Sequence, residues 1–277
     1  LEATNPEDGS PYRWNAARIA QTGALEINPL YRMANNKRRD KLNRLVGGVE
    51  VRYDILDWLT FSAVHGIDRE DFTRRNTYPV GYLPNSPTGT IGGRLTETAS
   101  NRFSQNTWLN LITKKKFGEL NTTFRLSFLR EQSDFNQIDA RAQGFPTPGL
   151  INLGAGDPTQ SALSSVVEKR VAHNVFAAGT LDYKDRYILD FLVRQDKSSL
   201  FGADNRSRTF FRTSAAYRVS QDIAINGIDE WKVRASYGTS GQRPSVFNAQ
   251  YETYSISGGS TIKENLGNSQ LKPSVSG

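Results

Sequence analysis

Cysteine is missing altogether from the 277 residues, which removes disulfide frameworks, thiolate metal sites and cysteine nucleophiles from consideration. Histidine is almost as scarce. The two copies, His65 and His173, each fall inside an alternating strand pattern, with no carboxylate or second imidazole at metal-ligand spacing, so both read as structural. No run approaches the roughly eighteen apolar residues that a membrane-crossing helix needs, and the hydrophobic fraction is 37%. A helical membrane protein is thereby excluded, but not a barrel, whose strands are only half apolar. The formal charge of +7 lacks a basic stripe, because Lys and Arg are scattered among Asp and Glu, so no nucleic-acid partner is expected. No arrangement of acid, base and nucleophile appears, so neither an enzyme nor a cofactor is expected. Gly154-Ala155-Gly156-Asp157-Pro158 reads as a loop and not a phosphate cradle, since Pro follows directly and no helical pattern comes after it. The N-terminal LEATNPEDGSPYRW has no basic segment leading into an apolar run, so no signal peptide is visible. The other end, LKPSVSG, stops without a closing strand, and a middle portion of a longer chain is expected.

What the chain has in quantity is alternation with period two, the mark of a strand with two different surroundings. The first confident strand is Leu45 to Tyr53, followed by a turn at 54–57 and a return strand opened by Trp58. Further strands are read from Phe103 to Thr113, from Leu120 to Phe128, from Arg170 to Leu181 and from Tyr187 to Asp196. Thr209 to Val219 and Trp231 to Tyr237 follow, and Tyr251 to Ile256 gives one more. Between them lie compact turns at 114–119 and 184–186, a longer one at 220–230, and long connections at 68–101, 131–169 and 197–208. The basic run Lys37, Arg38, Arg39, Lys41 reads as a solvated loop. Short and long connections alternate, so the short ones gather at one end of an up-and-down meander. Tyr53, Trp58, Phe117, Tyr183, Tyr187, Tyr217 and Trp231 flank those short ends, where an interfacial aromatic girdle would lie.

The two faces of these strands differ in kind. Tyr187, Leu189, Phe191 and Val193 make one face apolar, while Asp190, Arg194 and Asp196 charge the other. Two folds satisfy this. A transmembrane β-barrel turns the apolar face to lipid and the polar face to a wet lumen, whereas a soluble secreted β-sandwich binding polysaccharide packs the apolar faces against each other. On the barrel reading the lumen candidates for solute contact are Arg125, Asp190, Arg194 and Asp196. The long connections offer Tyr78, Tyr82, Asp139, Arg141 and Phe145, a mixture suited to sugar or peptide recognition.

Several short motifs keep an order of their own. Arg194-Gln195-Asp196-Lys197-Ser198-Ser199-Leu200-Phe201-Gly202 resembles R-x-D-G-S-S-x-F-G, and Phe210-Phe211-Arg212-Thr213-Ser214 through Ser220 resembles F-P-S-x-S-x-x-W-x-x-S. Trp231-Lys232-Val233-Arg234-Ala235-Ser236-Tyr237-Gly238-Thr239-Ser240-Gly241 is similar to L-K-L-R-x-S-Y-G-x-T-G-N, and Leu266-Gly267-Asn268-Ser269-Gln270-Leu271-Lys272 to G-N-x-x-L-K-W-E. Asn28-Pro29-Leu30-Tyr31 and Asp57-Trp58-Leu59-Thr60 also fit. Together these resemble the barrel of SusC/RagA-type TonB-dependent outer-membrane transporters. Departures are Lys197 for the usual Gly, Gln242 for Asn and Pro273 for Trp. The resemblance implies an all-β, antiparallel up-and-down barrel segment of eight or nine strands, against about twenty-two in a whole transporter. Residues 1–277 would be part of one barrel domain, without the plug domain and TonB box. It further implies an outer-membrane location and import of oligosaccharide or peptide with a SusD-like surface lipoprotein and TonB as partners, and no bond chemistry.

Overall fold

The computed structural model describes residues 28–82, 92–202, 205–223, 227–244, 251–257, 260–272 and 274–276. The polar segment before Asn28, the prolines Pro84 and Pro87, and Pro273 lie outside the described residues. A short helix, α1 (Pro29–Asn35), leads into eight long strands. These are β1 (Lys37–Leu56), β2 (Leu59–Val80), β3 (Gly92–Phe117), β4 (Leu120–Gln143), β5 (Ala162–Tyr183), β6 (Tyr187–Ser198), β7 (Ser207–Arg218) and β8 (Lys232–Gly238). They form one sheet in the order β1-β2-β3-β4-β5-β6-β7-β8, each strand paired with its neighbours in sequence. The remaining short strands are β9 (Ser240–Gln242), β10 (Thr253–Ser257), β11 (Ser260–Asn265) and β12 (Ser274–Ser276), paired as β10 with β11 and β12 with β9.

Register fixes which side chains share a face. Across β5, β6 and β7, Leu181 sits opposite Leu189 and Leu189 opposite Ala215, while Thr180 sits opposite Asp190 and Asp190 opposite Ser214. Side-chain hydrogen bonds carry the same parity to the earlier strands. Thr60 Oγ1 donates to Asp54 Oδ1 at 2.6 Å, Asn110 Nδ2 to Ser62 Oγ at 3.3 Å, and Ser127 Oγ to Asn110 Oδ1 at 2.7 Å. The apolar face therefore holds Tyr53, Val51 and Val49 on β1, Phe61 on β2, Leu109 and Leu111 on β3, and Phe124, Leu126 and Phe128 on β4.

The chain clusters into two compact units. One comprises residues 46–68, 103–134 and 168–277. Within it Phe124 is 42% exposed, Leu126 54%, Leu189 42% and Val193 47%, although all lie on interior strands of the sheet. A sandwich would have buried such side chains against a second sheet, so the soluble alternative does not describe this face. On β4 the apolar alternation runs from Leu120 to Phe128 and stops at Arg130, close to the nine to eleven residues that cross a bilayer as a tilted strand, at about 3.3 Å each. Aromatic rings line the short-turn end: Tyr187 and Tyr217 stack at 5.2 Å, and the Lys115 ammonium lies 5.3 Å from the Trp58 ring and 5.2 Å from that of Phe117. Rings and lysines at one level match an interfacial girdle. At mid-face Gly179 leaves room for its neighbours, since a Cβ there would run into the Phe191 ring and stand 2.8 Å from Phe124 Cδ1.

The other unit comprises residues 1–45, 69–102 and 135–167. Strand continues where long connections were read from the sequence: β2 runs on to Val80, β3 starts at Gly92, β4 reaches Gln143 and β5 starts at Ala162. The basic run from Lys37 is likewise strand. Charged and polar side chains occur on both faces of these extensions, with apolar ones such as Leu95, Ile138 and Ala140 only at intervals, so the two-surface alternation that betrays a strand in sequence is broken while the backbone ladder continues. β3 alone has 26 residues, about 86 Å at 3.3 Å each, far more than a bilayer requires. The small buried core of this unit joins Leu95, Ala142 and Phe145, with Val80, Ile151 and Ala155 packed against it.

Candidate functional site: the polar face of the wall

The polar face is a series of satisfied charge clusters. In the unit containing residues 103–134 and 168–277, Asp190 accepts from Thr180 Oγ1 at 2.7 Å and from Ser214 Oγ at 3.2 Å, bridging three strands. Arg194 pairs with Asp196, and its guanidinium stands 5.1 Å from the Phe176 ring. The Asp196 residue is 3% exposed and lies across from Asn174 in the register, which is wholly buried. Asn174 Nδ2 donates to Glu131 Oε2 at 2.8 Å, and Arg243 Nη2 donates to the same carboxylate oxygen at 2.6 Å and to Asn174 Oδ1 at 3.2 Å. Beside this triad a groove of about 320 Å³ is lined by Ser104, Asn106, Ser133, Ser198 and the two arginines Arg170 and Arg243, among others. Hydroxyl, amide and guanidinium groups stand there beside the apolar Val171, Ala172 and Leu200, a lining that offers polar contacts and non-polar surface together. Arg125 is exposed on the same face, at the parity of Ser127 and Glu131.

In the other unit the polar parity continues. Arg74 Nε donates to Asp40 Oδ1 at 3.0 Å, and Thr98 Oγ1 donates to Asp139 Oδ1 at 2.6 Å, with Gln137 Nε2 on Asp139 Oδ2 at 2.6 Å. Arg94 Nε donates to Gln143 Oε1 at 2.7 Å, and its guanidinium lies 5.9 Å from the Tyr78 ring. Tyr78 packs on Tyr82 with centroids 4.9 Å apart, and Tyr82 stacks on Tyr31 at 5.6 Å. The residues Asn28-Pro29 that carry Tyr31 open α1, where Asn28 Oδ1 accepts from Leu30 N at 3.0 Å and Pro29 occupies the first turn.

The residues singled out from sequence thus separate. Asp190, Arg194 and Asp196 share the polar face with Arg125 but are already paired within the wall. Tyr78, Asp139 and Arg141 sit on strand extensions, with Arg141 exposed. Tyr82 is buried at 6%, as the middle ring of the tyrosine stack. Phe145 is buried at 4% in the core with Leu95, and so supports the connection it begins. Sequence reasoning passed over Glu131, Asn174 and Arg243. Glu131 has the parity of Arg125 on β4, and that signal was available, but Arg243 reaches it from 112 positions away. Among the described residues no group of three or more His, Asp and Glu could hold a metal ion.

Comparison with known proteins agrees with this architecture. Residues 2–276 match the family model described as TonB dependent receptor-like, beta-barrel. The chain is 25% identical over 227 residues to TonB-dependent receptor P26 of Formosa agariphila, covering 80% of this chain and 23% of that protein. It is 28% identical over 209 residues to TonB-dependent receptor P3 of the same organism, covering 73% of this chain and 20% of that one. In fold it is similar to the RagAB peptide transporter, with TM-score 0.82 at 17% identity over 97% of this chain and 30% of that one. The RagAB peptide importer in its 'open-open' state gives TM-score 0.82 at 16% identity, with the same coverage. The chain spans less than a third of the length of each of these proteins. With an apolar outward face, an aromatic girdle and a polar inward face, the chain belongs to the TonB-dependent receptor-like β-barrel family and is an outer-membrane protein.

Proposed function

We propose that residues 1–277 form one contiguous stretch of the wall of a TonB-dependent importer. The plug and the TonB-contacting segment belong to sequence outside this range, and a SusD-like lipoprotein serves as the surface partner. The cargo is a peptide or an oligosaccharide, captured at the outer rim and passed along the polar face when TonB displaces the plug. The observation that carries this reading is the division of one sheet into a lipid-type face and a face studded with internally paired charges around a groove of mixed lining. Pairing matters physically. A wall whose charges are already satisfied presents hydroxyls and amides to a passing solute without holding it by a strong ion pair. The peptide neighbours named above support the peptide option, and the mixed lining of the groove suits either class. Arg125 and Arg141, both exposed, and Tyr78 and Asp139 at the extensions are the contacts we assign to cargo.

Cells making the full-length natural protein should take up labelled peptide or oligosaccharide in a TonB-dependent manner. Substituting Glu131→Ala together with Arg243→Ala should lower uptake while leaving the barrel assembled. Undiminished uptake in cells lacking TonB would overturn the reading.

A further inference from the structure

A second groove lies on the strand extensions, with Arg74 and Thr98 at its edge. It measures about 320 Å³ and is lined by Arg39 and Lys41 of β1, Arg75 of β2, Glu97 of β3, and the apolar Ile138, Ala140 and Leu153. Arg75 is neutralised by Glu97 at 3.1 Å and also donates through Nη2 to the Ile151 carbonyl at 3.1 Å, which ties the 144–161 connection to this face. Among the described residues, Arg39 and Lys41 make no ion pair or side-chain hydrogen bond, and both are exposed. Two unpaired cations therefore stand side by side at alternate positions of one strand, above an apolar floor. Odd-numbered residues of β1 run Tyr53, Val51, Val49 and Leu45 on the apolar face, and the same parity continues without a break to Lys41 and Arg39. Lys41 is four positions beyond Leu45, about 13 Å along the strand.

We propose that this groove binds the anionic headgroup of a glycolipid of the outer leaflet, with Arg39 and Lys41 on its phosphate or carboxylate groups and Ile138, Ala140 and Leu153 against its non-polar surface. Charge complementarity argues for this occupant: a guanidinium and an ammonium with no internal partner, next to apolar side chains, match a ligand carrying both anionic groups and carbon-rich surface. The inference goes beyond import and rests on the outer-membrane location alone.

The test uses the full-length natural protein purified in detergent and exposed to lipopolysaccharide bearing its lipid A and core phosphates. Retained glycolipid is counted by native mass spectrometry. The double variant R39E/K41E should reduce occupancy on the order of twentyfold, because each surface cation contributes about fivefold to binding an anionic lipid. R39K/K41R should retain it, and an unheated-gel mobility shift confirms that each variant is folded. Dephosphorylated lipopolysaccharide should bind the parent protein as weakly as R39E/K41E binds the intact glycolipid. Equal occupancy in R39E/K41E and parent would overturn the proposal. So would complete displacement by millimolar inorganic phosphate, which would make this a general anion site, or loss of a co-purifying protein partner from R39E/K41E with glycolipid retained.

Discussion

Phe124 and Leu189 are exposed side chains whose only suitable surroundings are hydrocarbon, and both sit on interior strands near the middle of the apolar face. Replacing either with arginine should cost about 2–4 kcal/mol at mid-membrane, measured by urea unfolding of the full-length protein in phospholipid vesicles. Normal stability of both variants would mean that the apolar face has been assigned to the wrong environment. Arg125→Gln, on the polar face, should change stability by less than about 0.5 kcal/mol in the same assay, as a surface substitution in water does. Asp157 makes a different residue-scale prediction. Its carboxylate accepts from the Thr159 amide at 2.8 Å, Thr159 Oγ1 at 2.7 Å and Gln160 Nε2 at 2.8 Å. The Thr159 and Gln160 side chains and the Thr159 amide together hold its pKa below the ordinary carboxylate value, the Thr159 side chain most of all. The bonds therefore favour the folded connection at all pH values above the unfolded pKa near 4, and that contribution fades as pH falls through the lower folded value. Proteolysis within 144–161 should accelerate below about pH 4 in the natural protein, and D157A should be cut equally fast at neutral and acid pH.

At the scale of single elements, the β5 to β6 hairpin is the most sharply determined. Lys184 and Asp185 have φ values of 57° and 54°, the paired left-handed conformation of a type I′ turn, whose twist suits the flanking strands. Asp185 is a residue that such turns favour and Lys184 is not, and an ion pair from Arg218 to Asp185 helps to hold the turn. Lys184→Val should destabilise the hairpin by about 1–2 kcal/mol, since a β-branched side chain crowds the left-handed backbone, while Lys184→Asn should be neutral or slightly stabilising. Refolding yield into detergent micelles, compared across these variants, checks the ranking. This turn was legible in sequence because a polar tripeptide interrupts two apolar alternations, and its observed bounds, Tyr183 to Tyr187, agree. The extensions of β2 to β5 were not legible. Segments such as Arg69 to Arg75 carry charged side chains at both parities, so nothing in their hydropathy alternates, and Pro79 beside Val80 reads as a loop although it marks a strand end. The same blindness hid the site. Glu131 looked like the start of a connection because the strand it belongs to had lost its apolar partner face at Arg130.

For the molecule as a whole, the short turns and the long connections should prove chemically inequivalent. An epitope inserted after Gly149, in the connection beyond β4, should be labelled by antibody on intact cells expressing the full-length protein. One inserted at Lys184-Asp185 should be labelled only after the outer membrane is opened. Labelling of both on intact cells would contradict a spanning sheet. The arrangement of the chemistry across the two units follows from the same constraint. Where one face must be apolar, polar groups crowd the other and pair among themselves, as in the Glu131, Asn174 and Arg243 cluster. Where the apolar alternation ends, unpaired cations such as Arg39 and Lys41 stand beside apolar side chains such as Ile138 and Leu153.

The sequential order of the eight strands bears on how such a wall is made. Every pairing from β1 to β8 joins strands that follow one another in the chain, so no segment must wait for a distant partner. Low contact order of this kind favours rapid growth, because each new ladder closes only the connection just behind it. The wall can be laid down hairpin by hairpin, presenting one live edge to the next strand at each stage.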